Sequence, residues 1–311
     1  MSSPLSTSSG DLIADRRFNY AAALAAEGDH AAACEVLEQA LDRVPAWGLG
    51  WLTLGEWRQR LGDPASAIAA YGRAAALDGS GRLGAPLRLA ALAAAPTPES
   101  MPDTYVRALF DDYAPRFDRA LVESLGYEAP QRLAATLDRL GERRFAHALD
   151  LGCGTGLMGA AIRDRVDHLA GFDVSGGMLK VAAVRGIYDR LAAGDAVALM
   201  AAEPENAFDL VLAADLLPYV GALAPLFTAV ARVLAPGGAF AFSAERHDGE
   251  GFVLGEALRY RHAPAFVAQA AVAAGLAMLA VEPVSLRRER GVPVPGLIGL
   301  AVRPPVAVSP A

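Results

Sequence analysis

The chain has 311 residues, 53% hydrophobic and 20% charged, which is ample material for a packed core and a length that suits two domains. Its net charge of -7 argues against nucleic acid or an anionic membrane surface as a partner, because sequence-independent phosphate binding takes clustered Lys and Arg. Two distant cysteines, Cys34 and Cys153, and five scattered histidines offer neither a disulfide framework nor a metal-ligand spacing.

Residues 1–10 have neither the basic start nor the apolar centre of a signal peptide and read as a disordered lead. No apolar run approaches the roughly 20 residues that span a bilayer, so a cytoplasmic location is expected. From 11 to 95 the chain reads as helices with an internal repeat. Gly28-Asp29 recurs as Gly62-Asp63, and at the same offset Ala33 matches Ala67, Leu37 matches Tyr71 and Ala40 matches Ala74. Helices are expected over 29–41 and 64–77, with a capping helix over 83–95. Trp51, Leu54, Gly55, Ala67, Tyr71 and Ala74 resemble the tetratricopeptide repeat signature, with Leu24 and Arg58 where that family has tyrosine. Such a unit either packs on its neighbour or offers a groove to a protein partner. Trp47, Trp51 and Trp57 read as packing residues.

Pro96, Pro98 and Pro102 mark a linker over 96–103. A helical lead rich in Tyr and Phe follows, within 104–140. From Phe145 onward short apolar runs alternate with helical stretches, the pattern of a parallel sheet with crossover helices. Strands are expected over 145–151, 169–174, 208–214, 239–244, 277–286 and 296–302, and helices over 223–234 and 264–274. The last two strands are joined by 287–295, too short for a crossover helix, and read as an antiparallel edge pair. Arg287-Arg288-Glu289-Arg290 falls in that turn, as a solvated run or a contact for an acidic substrate.

The chemistry begins at Asp150-Leu151-Gly152-Cys153-Gly154-Thr155-Gly156. Glycines at alternate positions let the backbone approach a ligand closely. Gly154, Gly156 and Gly159 also satisfy the dinucleotide fingerprint, and Asp173 suits a ribose in either reading. Asp150 directly before the turn would repel a pyrophosphate but suits a cationic amino group. Gly194-Asp195-Ala196, after a third strand candidate, offers an acid to an adenine amine.

These segments, with Phe208 to Asp215 and Leu234-Ala235-Pro236-Gly237-Gly238, stand in the order of the class I methyltransferase motifs. The resemblance covers about residues 104–303, and the whole chain is similar to bacterial methyltransferases that carry N-terminal tetratricopeptide repeats. It implies an α/β, Rossmann-like sheet of seven strands in the order 3-2-1-4-5-7-6 with the last antiparallel, and a tail over 304–311. It implies S-adenosylmethionine as cofactor. Asp150, Gly152, Cys153 and Gly154 would line its methionine and ribose portion, Asp173 its ribose hydroxyls, Val174 and Met178 its adenine face, and Asp195 and Ala196 its adenine edge. Asp215 and Leu216 would stand near the reactive methyl. Tyr105 and Tyr113 would belong to a lid over the cofactor, with Tyr219 and Phe117 against the acceptor. His262, Glu245 and Asp215 are the candidate catalytic groups, His262 reading equally as a capping or packing residue. The expected reaction is methyl transfer to a small-molecule acceptor. The alternatives are a protein methyltransferase that recruits its target through the repeats, and a non-catalytic scaffold.

Overall fold

The computed structural model describes residues 8–119, 126–289 and 291–305 and divides into two compact units. The first runs to Pro98 and takes in Glu256–Leu258; the second comprises the rest. Among the described residues no helix is long and apolar enough to cross a membrane.

The first unit is helical: α1 (Leu12–Ala26), α2 (His30–Arg43), α3 (Gly48–Arg60), α4 (Pro64–Leu77) and α5 (Ala85–Ala91). Aspartates begin three of them. Asp11 accepts from the Ile13 and Ala14 N–H groups, Asp29 from Ala32 and Asp63 from Ser66, each satisfying donors that a helix start leaves open. Gly28 and Gly62, in the left-handed region, turn the chain between consecutive helices. Small residues admit large ones. A Cβ at Gly55 would fall 2.5 Å from the Tyr71 ring, which is fully buried. Trp47 and Trp57 are buried with Leu37 and Leu54, the half-buried Phe18 packs against them, and the Trp51 indole donates to the Pro45 carbonyl. The last helix is shorter at both ends than its pattern suggested: Gly84 in a left-handed turn delays its start, and it stops before Leu92 and the left-handed Ala93 (φ 55°).

The second unit begins with α6 (Asp103–Tyr113) and α7 (Ala129–Thr136). It continues β1 (Phe145–Leu151), α8 (Leu157–Ile162), β2 (Val166–Asp173), α9 (Gly176–Arg185), β3 (Arg190–Ala193), α10 (Ala196–Ala202), β4 (Phe208–Ala213), α11 (Ala224–Val233) and β5 (Leu234–Arg246). Two short strands, β6 (Phe252–Leu254) and β7 (Tyr260–His262), precede α12 (Pro264–Ala273), β8 (Ala277–Glu289) and β9 (Val292–Val302). Strands β3, β2, β1, β4 and β5 lie side by side and parallel. β9 runs antiparallel along β5, Phe242 opposite Gly299, and β8 pairs antiparallel with β9. A Cβ at Gly299 would lie 2.2 Å from the Phe242 ring, so only glycine lets β9 approach. The sheet is thus mixed, with apolar clusters built around Leu149, Val211, Phe227, Phe240 and Phe242, and around Leu133, Phe145, Met158, Leu210 and Ile298.

Two features correct the sequence reading. β8 continues through Glu289 and β9 starts at Val292, so Arg287 is a strand residue and only 4% exposed, not part of a solvated turn. Arg290 lies outside the described residues. The pairing of β7 with the end of β5, Glu245 opposite Arg261, went unanticipated, because three-residue strands are too short to show a period of two.

Candidate functional site

At the end of β1 the chain turns through Gly152 (φ 64°), Gly154 (φ 54°) and Gly156 (φ 94°), three left-handed positions that other residues adopt only at a cost. The turn is tied to the end of β2. Cys153 N–H donates to the Phe172 carbonyl at 3.0 Å and Gly154 N–H to Asp173 Oδ2 at 2.8 Å. Asp173 Oδ1 accepts from Ser175 N–H at 2.7 Å. One buried carboxylate therefore fixes both the glycine turn and the next loop, and burial raises its pKa. A Cβ at Gly152 would stand 3.2 Å from Leu216, which places the residue after Asp215 against the turn.

Asp150 is completely enclosed. Its Oδ2 accepts from the Tyr188 hydroxyl at 2.6 Å, and its Oδ1 has no partner. Burial dominates and pushes its pKa up to about 7 against the lowering effect of that hydrogen bond. Tyr188 fills the space that Gly159 and Gly171 leave: a Cβ at Gly159 would lie 2.4 Å from the phenol oxygen. The sequence did not single out Tyr188, since nothing local announces a partner 38 positions from Asp150.

The helical lead is pinned to the same place. On α6, Asp111 Oδ1 accepts from Ser175 Oγ at 2.6 Å and Gly177 N–H at 2.9 Å, and Arg107 Nε donates to the Val174 carbonyl at 3.1 Å. Aromatic edges continue inward. Phe117 meets Tyr113 and Phe110 with centroids 5.4 and 6.1 Å apart, and Phe110 meets Tyr219 at 5.2 Å. Tyr105 is half-buried on the same helix. Residues 120–125 of the expected lid lie outside the described residues. Met178 is buried at the start of α9, its N–H donating to Ser175 Oγ, and Val174 is half-buried beside it. Asp195 caps α10 through Ala198 N–H at 2.7 Å, and Ala196 is the first residue of that helix. Gly194 N–H donates to the Asp173 carbonyl, which draws this loop to the end of β2.

Beyond β4, Asp215 adopts φ 60°, and its N–H donates to Ser243 Oγ at 2.9 Å. A non-glycine residue held left-handed stores strain of a kind that gathers at functional sites. Its carboxylate joins a network of buried charges. Arg259 Nη2 donates to Asp215 Oδ2 at 3.2 Å, its Nη1 to the Tyr219 hydroxyl at 2.9 Å, and its Nε to Glu245. The same guanidinium lies over the Tyr219 ring, 5.3 Å from its centroid. Arg287 Nη2 donates to Glu245 and to Glu289, both at 2.6 Å. Tyr127, from the segment before α7, is buried within electrostatic reach of Asp215, Arg259 and Arg287; burial first, with the Asp215 charge, raises its pKa. The sequence reading missed Arg259 and Tyr127 as site residues, because neither lies in a motif.

Two of the expected catalytic groups are otherwise engaged. Glu245 Oε1 accepts from two guanidiniums, Arg259 Nε and Arg287 Nη2, which tie the carboxylate into the ion-pair network. His262 is fully buried; its Nε2 lies 2.9 and 3.1 Å from the Val220 and Gly221 carbonyls, which assigns the proton to that nitrogen. Burial lowers its pKa to about 4, against the raising effect of those carbonyls, and its ring stacks on Phe266. This is the packing role that the sequence left open for it.

Residues 149–242 match the family model of a methyltransferase domain. A malonyl-[acyl-carrier protein] O-methyltransferase of Pseudescherichia vulneris is 34% identical over 132 residues, 42% of this chain and 52% of the relative, so the match spans about half of that protein's length. The [4+2]-cyclase SpnF superposes with a TM-score of 0.55 at 20% identity, over 65% of this chain and 97% of the cyclase. A Burkholderia thailandensis 1,6-didemethyltoxoflavin-N1-methyltransferase, with 1,6-didemethyltoxoflavin and S-adenosylhomocysteine bound, superposes with a TM-score of 0.51 at 19% identity, over 67% of this chain and 92% of that one. These structural likenesses establish the fold, and the fold alone does not establish the reaction. The second unit has a methyltransferase-like α/β fold, and within it residues 149–242 match the methyltransferase-domain model.

Proposed function

We propose that the chain transfers a methyl group from S-adenosylmethionine to a small-molecule acceptor. The observation that carries the reading is the pairing of the glycine turn with Asp173, beside the unpartnered buried Oδ1 of Asp150. The residues present fit this cofactor: three glycines keep side chains off the turn, and an orphaned carboxylate oxygen is a place for a cationic amino group. Asp150, Gly152, Cys153 and Gly154 would hold the methionine and ribose portion. Asp173 would take the ribose hydroxyls, Val174 and Met178 the adenine face, Asp195 and Ala196 its edge, and Tyr105 and Tyr113 would cover it. Bound there, the cofactor supplies a methyl group made electrophilic by its sulfonium sulfur.

The protein's own task is to orient the acceptor and exclude water. Proximity and orientation alone can be worth roughly 7–11 kcal/mol of barrier. Phe117 and Tyr219 would form an apolar wall for the acceptor, and Asp215 and Leu216 would stand between turn and acceptor. Asp215 Oδ1 and His262 Nδ1 are both buried without a hydrogen-bond partner, and of the two Asp215 adjoins the glycine turn through Leu216, so a base role falls to it whenever the acceptor must lose a proton. The aromatic lead of Phe110, Tyr113 and Phe117 against Tyr219 favours a small acceptor over a protein side chain.

Calorimetric titration with S-adenosylmethionine, S-adenosylhomocysteine and NADH, beside Asp173→Ala, tests the reading. Saturable binding of the two adenosyl ligands, lost in the variant and absent for NADH, is expected. A well-folded chain that binds neither adenosyl ligand would sink it.

A further inference from the structure

The charged network at the ends of β4, β5 and β8 neutralises its two arginines but leaves hydrogen bonds unmade. Arg259 and Arg287 face Asp215 and Glu245, with Glu289 also on Arg287. A third buried carboxylate would therefore meet two cations that are already neutralised. Two atoms nevertheless remain unmatched. Arg287 Nη1 is a buried donor with no hydrogen-bond partner, 3.7 Å from Asp215 Oδ2 as an ion-pair neighbour only, and Asp215 Oδ1 is a buried acceptor with none. Leaving such groups open is costly, and a pair of them side by side calls for an explanation such as a catalytic or binding role.

One unmet donor beside one unmet acceptor describes a single group that both accepts and donates. A carboxylate only accepts and an ammonium only donates; a neutral hydroxyl does both. The adjoining wall is aromatic, since the Tyr219 ring that carries Arg259 on its face also meets Phe110 in a T-shaped contact. We propose that Arg287 and Asp215 form the acceptor-recognition pair and that they select a phenolic hydroxyl, its oxygen accepting from Arg287 Nη1 and its proton directed at Asp215 Oδ1. This rests on the methyl-transfer reading and names the acceptor class for it. In the step, the phenol O–H proton passes to Asp215 and the oxygen lone pair forms the new O–CH3 bond. The methyl–sulfur bond breaks with its electron pair going to sulfur. Arg287 stabilises the negative charge that builds on the oxygen before the bond forms.

The test uses the full chain saturated with S-adenosylhomocysteine, whose binding is first verified by calorimetry. Phenol, benzoate and benzylammonium are then compared by ligand-observed NMR titration in the wild type and in Asp215→Asn. Asparagine tolerates the left-handed backbone at 215 and keeps the size of the side chain, so the variant should fold. Phenol should bind at least about tenfold tighter than either charged probe and weaken at least about tenfold in Asp215→Asn, as expected when a hydrogen bond to a charged group is lost. Tighter binding of benzoate would mean that the arginines read a carboxylate, and tighter binding of benzylammonium that the acids read a cation. Either result overturns the proposal, as does phenol binding that is absent, or unchanged by the substitution, in protein that holds S-adenosylhomocysteine. Failure of S-adenosylhomocysteine itself to bind would instead remove the reading underneath and the proposal with it.

Discussion

Arg287 on β8 reaches Glu245 on β5 across 42 residues of sequence, Nη2 to Oε1 at 2.6 Å, and both side chains are almost wholly withdrawn from water. An ion pair in such a place gains stability only while both partners are present, because a lone buried charge has lost its hydration without replacement. Arg287→Met should therefore destabilise the chain by about 3–5 kcal/mol in urea denaturation. Arg287→Met with Glu245→Gln should recover a large part of that loss. If the double variant is no more stable than the single one, the pair is not coupled as described.

Asp150 makes stability depend on pH in an unusual direction for a carboxylate. Burial raises its pKa from 3.8 to about 7, so over that interval the folded chain keeps a proton that the unfolded chain releases. Its contribution is full below about pH 4 and is lost as pH rises through 7. Asp150→Asn cannot titrate. Between pH 4 and pH 8 the unfolding free energy of the variant should rise relative to wild type by on the order of 2–4 kcal/mol. Parallel stability curves would show that Asp150 titrates as an ordinary exposed acid.

Asp173 has a structural task besides the proposed ribose contact. Asp173→Ala strands the N–H groups of Gly154 and Ser175, which its two oxygens now accept. A loss of about 1–3 kcal/mol per stranded donor is expected by denaturation. Asp173→Asn keeps one acceptor oxygen and should lose less. Equal stabilities for the two variants would mean that the turn is held by other contacts.

Gly159 has no room for a methyl group, since its Cβ would lie 2.4 Å from the Tyr188 hydroxyl oxygen and 2.6 Å from the ring carbon that bears it. Gly159→Ala should cost about 1–3 kcal/mol through overpacking. The same substitution made in Tyr188→Ala should be close to neutral, because the obstructing ring is gone. A cost that persists without the ring would trace to the backbone instead.

Much of the secondary structure could be read locally. Asp29 before α2 and Asp63-Pro64 at α4 are start signals carried by adjacent residues, and β1 falls where its apolar run does. The glycine turn was legible for the same reason: its conformation depends on glycine at each left-handed position, a property of those residues themselves. Arg287 was misplaced because a short-range pattern does not say where one strand of a hairpin ends. Pairing with β9 carries β8 through Glu289 and brings Arg287 back into the sheet. The role of His262 stayed open because its burial depends on β7 joining the end of β5, a contact between segments with no shared local signal.

The sequence by itself determined the helical first unit, the alternation that makes the second an α/β fold, and the acids and glycines at the ends of β1 and β2. Each rests on residue chemistry acting within a few positions. Tertiary structure alone decided the partners: Tyr188 for Asp150, Glu245 for Arg287, and Arg259 for Asp215 and Tyr219. The reason is physical. A buried charge or hydroxyl must find a partner once water is removed, and which partner it finds is set by sheet register and packing across tens of residues, not by its neighbours along the chain.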